Sequence, residues 1–336
     1  MQFNRRVKLK EVERIYTAGN WSQKDDQYSE MFLMQNLKQF WMPEEISLSR
    51  DVQTWQTLTP EEQDVYVKVL AGLTLLDTIQ GDIGMPSIAE TTDSHQQKAT
   101  LTFMGAMENA VHARSYSNIF LTIASQRVIT EAFQWVKDNP ILQKKAKLFS
   151  DFYEKSTSDL ESSYLAKVAS VGLESGSFYS GFFYPLYIGG QGKLVGSMET
   201  IQLIIRDESI HGVYVGLLAQ AELQEMPKDR QEYLLEETKK FFDELIEIEI
   251  EYTRDVYDQV GLSHEVIDFV KYNMNKSLNN LGLESTYEHD KVNPIVLKGL
   301  NTGGTGIDFF STKGQMYKKA VVESIKDEDF YFEEVS

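Results

Sequence analysis

Long stretches of this sequence place apolar residues three or four positions apart, and only 7 prolines interrupt the 336 residues. That spacing is typical of amphipathic α-helices. The segment Thr59-Pro60-Glu61-Glu62 has the pattern of a helix start, with threonine as the cap and proline at the first helical position. No run alternates convincingly at a period of two, and nothing repeats at a solenoid period. The sequence therefore predicts an all-α protein.

Four of the predicted helices are apolar on more than one face. They cover roughly residues 60–80, 94–124, 162–187 and 198–223, and further helices are expected at roughly 227–259 and 263–281. Helices of this kind lie at the centre of a bundle, surrounded by other helices. We therefore expect one helical domain over residues 1–300, followed by a flexible tail over residues 301–336, where the periodicity is lost.

Composition excludes several classes of function. The formal net charge is −18, and such an acidic surface repels phosphate backbones, so we expect no nucleic-acid binding. The chain has no cysteine, which excludes disulfides, iron–sulfur clusters, thiolate zinc sites and cysteine-based catalysis within it. Its apolar runs fall well short of the roughly 20 residues that a membrane-spanning helix needs, and the basic, polar start does not resemble a signal peptide. We therefore expect a cytoplasmic protein.

Six ionisable side chains lie inside the apolar central helices, where an unpaired charge is costly. Taken singly, each has an ordinary explanation, such as an exposed acid or a hydrogen-bonded core histidine. As a set, they give one carboxylate from each of two helices and one Glu–His pair from each of two others, which is the ligand plan of di-iron and di-manganese bundle proteins. The six predicted ligands are Asp77, Glu108, His112, Glu174, Glu208 and His211. Oxygen and imidazole donors without thiolate favour two manganese or two iron ions.

One Glu–His pair has irregular spacing. Glu208 and His211 are three residues apart, but Glu108 and His112 are four apart, and Asn109 occupies the expected position. We interpret the extra residue as an insertion absorbed by a π-bulge, a feature common at functional sites. The alternative is that Asn109 itself is a ligand, although a carboxylate suits these metals better than a neutral amide.

Tyr116 lies one helical turn beyond His112, so its ring should lie close to the metals. An oxidised metal pair could remove an electron and a proton from this side chain, leaving a tyrosyl radical. For a single tyrosine in an apolar helix, a core residue with a hydrogen-bonded hydroxyl is the ordinary alternative.

Five motifs, in order, resemble those of the small (beta) subunit of class Ib ribonucleotide reductase. They are AGLTLLDTIQGD, MENAVHARSYSNIF, LESGSFYSGFFYPLY, LIIRDESIHGVYVG and NMNKSLNNLG, and the resemblance runs from about residue 15 to the C-terminus. It implies a homodimer with a ferritin-like helical bundle and a central four-helix dimetal site. It places the tyrosyl radical on Tyr116 and implies transfer of that radical to a cysteine of a separate large (alpha) subunit, which reduces ribonucleoside diphosphates. A flavodoxin-like activating protein is the other implied partner.

The resemblance also implies a radical relay and an oxidant channel. In the relay, Trp41 connects through Asp207 to the metal ligand His112, and Tyr331 in the acidic tail completes the path to the large subunit. The implied channel residues are Ser175, Tyr179, Lys276 and Asn280.

The sequence departs from the family pattern directly after Glu174. Gly176 and Ser177 stand where two bulky apolar residues are common. We expect Gly176 to loosen its helix by about 1 kcal/mol relative to alanine, and the missing side chains put the detail of the channel in question.

Two other functions use a dimetal bundle. A ferritin-like oxidase or oxygenase would act on a small substrate, and a metal-storage or purely structural bundle would need no partner chain. Neither requires Tyr116, Trp41 and Tyr331 together.

Overall fold

The computed structural model describes residues 17–157 and 159–301, and within these ranges the chain is helical and contains no strand. The all-α prediction is therefore confirmed. The α-helices are α1 Ser29–Lys38, α2 Asp51–Trp55, α3 Pro60–Ile79, α4 Met85–Glu90, α5 His95–Met107, α6 Ala113–Ile123, α7 Gln126–Asp138, α8 Pro140–Glu154, α9 Leu160–Gly172, α10 Tyr179–Gly190, α11 Val195–Glu225, α12 Lys228–Tyr257, α13 Ser263–Asn280 and α14 Pro294–Asn301. Tyr331 and nearly all of the predicted tail lie outside the described residues.

The predicted start of α3 is confirmed in detail. The Thr59 side chain accepts a hydrogen bond from the backbone N–H of Glu62, and the Glu62 carboxylate accepts one from the Thr59 N–H at 2.7 Å. This reciprocal arrangement satisfies two backbone donors at the helix end, and Pro60 occupies the first turn, where no donor is needed. The sequence thereby fixes where the first central helix begins.

Four long helical columns form the centre of the bundle. Three of them consist of two α-helices joined by a π-helical turn: α3–α4 through Gln80–Gly84, α5–α6 through Glu108–His112, and α9–α10 through Leu173–Ser177. The fourth column is α11, a single helix of 31 residues. The helix α11 packs against α9 and α10, and α3 packs against α6 and α10, so the four columns enclose a common interior.

The π-bulge predicted from the spacing of Glu108 and His112 is confirmed, because those two residues bound the π turn of the second column. The π turns at Gln80–Gly84 and Leu173–Ser177 were not predicted. Each π turn widens the helix by one residue and redirects the side chains that it carries. All three lie on columns that supply predicted metal ligands.

Gly176 lies in the third π turn, against α13. A Cβ atom added at this position would lie 2.5 Å from Met274 Sδ and 2.9 Å from Ser277 Oγ. Met274 is fully buried and occupies the space that a larger residue at position 176 would need. The glycine is therefore required by the close approach of α13, and its cost in helix propensity is the smaller of the two effects.

We expect Gly176→Ala to destabilise the protein by about 1–3 kcal/mol, the usual range for overpacking a well-filled core. Helix propensity alone predicts the opposite sign, a gain of about 1 kcal/mol. Urea unfolding of the two proteins would measure the difference. The double variant Gly176→Ala/Met274→Ala should show a coupling that offsets part of the loss, since the second change opens the space. A stabilised Gly176→Ala protein would contradict this account of the packing.

None of the helices in the described part of the chain combines the length and the apolar character needed to cross a membrane.

Candidate metal centre

The four columns bring the six predicted metal ligands together in the interior. Asp77 lies in the last turn of α3, Glu174 lies in the third π turn, and the pair Glu208 and His211 lies on α11. The remaining two ligands are the end residues of the second π turn, Glu108 and His112. All six side chains are fully buried, with 0% exposure.

The ligand atoms form two overlapping groups. In one, Asp77 and His112 lie with Glu108 and Glu208; in the other, Glu174 and His211 lie with the same two glutamates. Within each group the donor atoms are all within 4.8 Å of one another. Glu108 and Glu208 belong to both groups and would be shared by two bound ions, whereas Asp77 and Glu174, the terminal carboxylates, each belong to one group.

The two imidazoles present the same ring nitrogen to the centre. His112 Nδ1 lies 2.9 Å from Glu208 Oε1 and 3.2 Å from Glu108 Oε2. His211 Nδ1 lies 2.9 Å from Glu108 Oε1 and 3.4 Å from Glu174 Oε2. Each Nδ1 therefore faces carboxylate oxygens. This is expected where an imidazole and a carboxylate are placed to bind the same metal ion.

Several buried carboxylate oxygens accept no hydrogen bond within the described residues, although two of them lie 2.9 Å from a histidine Nδ1. They are both oxygens of Asp77, both of Glu208, Glu108 Oε1 and Glu174 Oε2. Unsatisfied charged atoms in a dry interior cost several kcal/mol each. Two divalent cations would supply the missing partners and balance the charge of four carboxylates. The donor set of oxygen and imidazole fits iron or manganese, and the cluster could hold two such ions.

Charge crowding shifts the pKa values of the cluster. Burial raises the pKa of Asp77 and of Glu174 well above the usual carboxyl range, and the neighbouring carboxylates raise both further. Burial acts to lower the pKa of His112 and His211, but the surrounding carboxylates outweigh it and raise both values. Burial therefore disfavours the ionised forms of Asp77 and Glu174, and bound cations would favour them.

Asn109 points away from this cluster. Its side chain is exposed, and Nδ2 donates a hydrogen bond to Asp82 Oδ1 at 2.7 Å. The π turn therefore places Glu108 in the interior and Asn109 at the surface. The geometry gives no support to the alternative in which Asn109 is a ligand.

Tyr116 lies on α6, one turn beyond His112, and is fully buried. Its hydroxyl has no hydrogen-bond partner within the described residues. Burial raises the pKa of Tyr116 well above its usual value, and the charges of Asp77, Glu208 and Glu108 raise it further. The phenol is therefore neutral and lies within electrostatic reach of three predicted ligands. The Asp77 side chain is the group that interacts with the hydroxyl, so the phenol of Tyr116 faces the predicted metal cluster.

Trp41, Asp207 and His112 form a continuous chain of contacts. Trp41 Nε1 donates a hydrogen bond to Asp207 Oδ2 at 2.7 Å, and the same oxygen lies 3.2 Å from His112 Nε2. The other oxygen of Asp207 accepts from Gln39 Nε2 at 2.7 Å, and Arg206 lies 3.4 Å from it. The indole and imidazole rings are also roughly parallel, with centroids 6.5 Å apart.

Of the four predicted channel residues, Ser175 and Tyr179 lie in the third column, in its π turn and at the start of α10. Lys276 and Asn280 lie on α13, which packs against that column. Asn280 Nδ2 donates to Ser175 Oγ at 2.9 Å. Tyr179 is buried, one turn beyond Ser175, and packs edge-on against Phe269. Lys276 Nζ lies 4.4 Å from the centre of the Tyr272 ring. The geometry thus brings Ser175 and Asn280 into direct contact and places Tyr179 and Lys276 one turn from them.

Burial lowers the pKa of Lys276 to about 8. Burying the charged form therefore lowers the free energy of unfolding at pH values below about 8. This destabilisation shrinks as the pH rises from about 8 to the unfolded pKa near 10.4, because the folded protein then holds the neutral form. We expect Lys276→Met to stabilise the protein at pH 7 by up to about 3 kcal/mol, the free energy that corresponds to the shift. The gain should shrink above pH 8, and denaturant unfolding between pH 7 and 10 would measure it. A gain that is independent of pH would contradict the assignment.

The sequence analysis missed two residues that support a predicted ligand: Gln80, which contacts Glu174 directly, and Tyr153, which contacts Gln80. Gln80 Nε2 donates to Glu174 Oε1, and Tyr153 in turn donates to Gln80 Oε1 at 2.6 Å. Gln80 follows Asp77 by three residues and so shares its helix face, which is a signal that the sequence offers. Tyr153 comes from α8, outside the central columns, and only the tertiary fold connects it to the site.

Fold and site together define a class, the ferritin-like bundle with a dimetal site held by carboxylates and histidines. Comparison with known proteins narrows this class. The family model described as "Ribonucleotide reductase, small chain" matches residues 18–294. The chain is 56% identical over 322 residues to the ribonucleoside-diphosphate reductase subunit beta of Bacillus subtilis, covering 96% of this chain and 98% of the relative. The protein belongs to the ribonucleotide reductase small-chain family.

A solved structure and a second relative agree with this result. The dimanganese(II) NrdF of Streptococcus sanguinis superposes with a TM-score of 0.81 at 40% identity, covering 85% of this chain and all of that one. The ribonucleoside-diphosphate reductase 2 subunit beta of Escherichia coli is 38% identical over 323 residues, covering 94% of this chain and 98% of the relative. The predicted enzyme, a ribonucleoside-diphosphate reductase of class I, is confirmed, and the NrdF name favours class Ib.

Proposed function

We propose that this subunit forms a radical on Tyr116 and passes it through His112, Asp207 and Trp41 toward a large subunit that reduces ribonucleoside diphosphates. The observation that carries the proposal is the unbroken contact chain from the buried metal cluster to the Trp41 indole. A dimetal site used only for storage has no need of such a chain. An oxygenase acting on a small substrate has no need of it either.

Bound redox-active metal ions would supply the oxidising power that removes an electron from Tyr116. The protein keeps the phenol neutral beforehand, because burial and nearby carboxylates raise its pKa. Loss of the electron together with the phenol proton, for which the Asp77 carboxylate is the acceptor beside the hydroxyl, would leave a neutral ring in the dry interior. The surrounding side chains also exclude water and other reductants from the ring, which favours a long-lived radical.

Asp207 connects the Trp41 indole to the predicted metal ligand His112. Its two oxygens are held by different donors, Gln39 on one and Trp41 on the other. The carboxylate is therefore fixed in position and orients both the Trp41 indole and the His112 imidazole. This arrangement supports an electron path with a defined hydrogen-bond geometry at each step.

Several partners belong to this proposal. We propose a homodimer that works with the large subunit, into which the tail carrying Tyr331 docks. The dimanganese content of the Streptococcus relative supports manganese in this chain, and iron fits the same donors. Ser175, Tyr179, Lys276 and Asn280 are proposed to line the route by which a flavodoxin-like protein delivers oxidant to the manganese form.

Reconstitution of the full-length protein provides the test. The protein would be loaded with manganese or iron, with and without a flavodoxin-like activating protein, and studied by electron paramagnetic resonance. We expect a tyrosyl signal coupled to the metals, and ribonucleotide reduction once the large subunit is added. Fully metallated protein that gives no radical under any of these conditions would overturn the radical role and leave oxygenase or storage.

A further inference from the structure

Gln80 is a buried amide that contacts a predicted ligand of only one of the two metal positions. It is the first residue of the π turn that ends α3, and it has no exposed surface. Its Nε2 donates to Glu174 Oε1 and also to Ser170 Oγ, at 2.8 Å for the latter. Its Oε1 accepts the hydroxyl proton of Tyr153 at 2.6 Å. Every polar atom of the amide therefore has a partner.

These contacts allow only one orientation of the amide. Tyr153 is fully buried, and its hydroxyl must donate to an acceptor, which is Gln80 Oε1. The NH₂ end then faces Glu174, whose carboxylate can only accept once it is ionised to hold a metal ion. Rotating the amide by 180° would place its oxygen against that carboxylate and leave the Tyr153 hydroxyl facing a donor. Tyr153 thus holds Gln80 in the orientation that Glu174 requires.

Gly84, the last residue of the same π turn, leaves the space that the Gln80 amide and the Tyr153 ring occupy. A Cβ atom at Gly84 would overlap Gln80 Oε1 and would lie 2.8 Å from Cε2 of Tyr153. Any larger residue there would push the amide or the phenol out of place. The π turn and its glycine therefore position Gln80 and Tyr153 as a unit.

The two terminal carboxylates of the metal centre consequently differ. Glu174 Oε1 is occupied by Gln80, and Oε2 is the oxygen without a hydrogen-bond partner, 3.4 Å from His211 Nδ1. Both oxygens of Asp77 lack a hydrogen-bond partner within the described residues. One metal position can thus receive two terminal oxygens, whereas the other can receive one.

We propose that Gln80, oriented by Tyr153, is a positioning residue that makes Glu174 a one-oxygen ligand and sets the affinity of the metal position formed with His211. The inference rests on the dimetal site of the proposed function and does not depend on the radical. Outer-shell partners of metal ligands typically contribute 10–100-fold to metal affinity.

The test is stepwise Mn²⁺ binding to Gln80→Met, which keeps the side-chain length but removes both polar atoms. Competition with a chelator would give the affinity for each equivalent, and electron paramagnetic resonance would distinguish isolated from spin-coupled Mn²⁺. We expect the first equivalent to bind as in the unchanged protein and the second to bind about 10–100-fold more weakly. The coupled signal should then appear only at higher Mn²⁺ concentration.

Two further variants separate positioning from folding. Gln80→Met/Tyr153→Phe removes the phenol hydroxyl that the single change leaves without an acceptor, so it should fold well and still bind the second Mn²⁺ weakly. Tyr164→Phe is the matched control, because Tyr164 is a buried tyrosine whose hydroxyl lies 3.0 Å from Thr238 Oγ1. It should bind both equivalents normally.

Two outcomes would overturn the inference: two unchanged affinities in the double variant, or two affinities weakened equally. If the unchanged protein binds two Mn²⁺ but never forms a radical, the proposed function fails while this inference stands.

Discussion

Replacing Tyr116 by phenylalanine should abolish the tyrosyl radical and ribonucleotide reduction while leaving the fold and the metal content intact. The change removes one oxygen, and that oxygen has no hydrogen-bond partner within the described residues. Deleting this hydroxyl removes only its interaction with the Asp77 side chain, so the free energy of unfolding should change by no more than about 1 kcal/mol. Phenylalanine keeps the ring in place but cannot lose a phenolic proton. The effect on radical yield should therefore be complete.

Electron paramagnetic resonance of the reconstituted variant, with metal analysis of the same sample, would check this expectation. Tyr66→Phe is a matched control, because Tyr66 is equally buried and its hydroxyl interacts with Ser197 and Asp51 rather than with the metal cluster. Tyr66 packs against Trp55 and Tyr184, and no ligand of the cluster contacts its ring. That variant should retain the radical. A signal that survives in Tyr116→Phe, or disappears in Tyr66→Phe, would assign the radical to another residue.

The metal centre shows why some parts of this protein can be predicted from its sequence. Ligands on one helix have a fixed spacing, so the extra residue between Glu108 and His112 was visible as an anomaly and indicated a π turn. Of the other two π turns, one carries a single predicted ligand, Glu174, and the other carries none. Without a second ligand on the same turn, the sequence offers no spacing from which an insertion could be noticed.

Contacts between distant elements could not be predicted. Helix propensity indicated that Gly176 would loosen its helix, but propensity does not include Met274 and Ser277 from α13, which need the space. The Tyr153 hydroxyl bonds to Gln80, 73 residues earlier in the chain. Periodicity identifies which face of a helix is buried, whereas it does not say which buried side chains from different helices meet.

The relay offers the second large expected effect. Trp41→Phe should leave the Tyr116 radical in place but lower the rate of ribonucleotide reduction by about 100-fold or more. Mutations of outer-shell partners of metal ligands typically lower activity by about 10–100-fold, so this effect is at or above the upper end. Phenylalanine keeps an aromatic ring beside His112 but loses the N–H that donates to Asp207 Oδ2. The metal site stays assembled, because Asp207 still faces His112. Trp41→Phe should therefore keep the radical signal and lose activity, whereas Tyr116→Phe should lose both.

Measuring both quantities on one preparation makes this separation the decisive result. Trp55→Phe is the control, since Trp55 is also a buried indole but packs against Tyr66 and makes no contact with Asp207. It should keep both the radical and the activity. If Trp41→Phe lost the radical as well, the indole would serve to assemble the metal site. If it kept full activity, the contact chain through Asp207 would not be the path, and the observation that carries the proposed function would no longer support it.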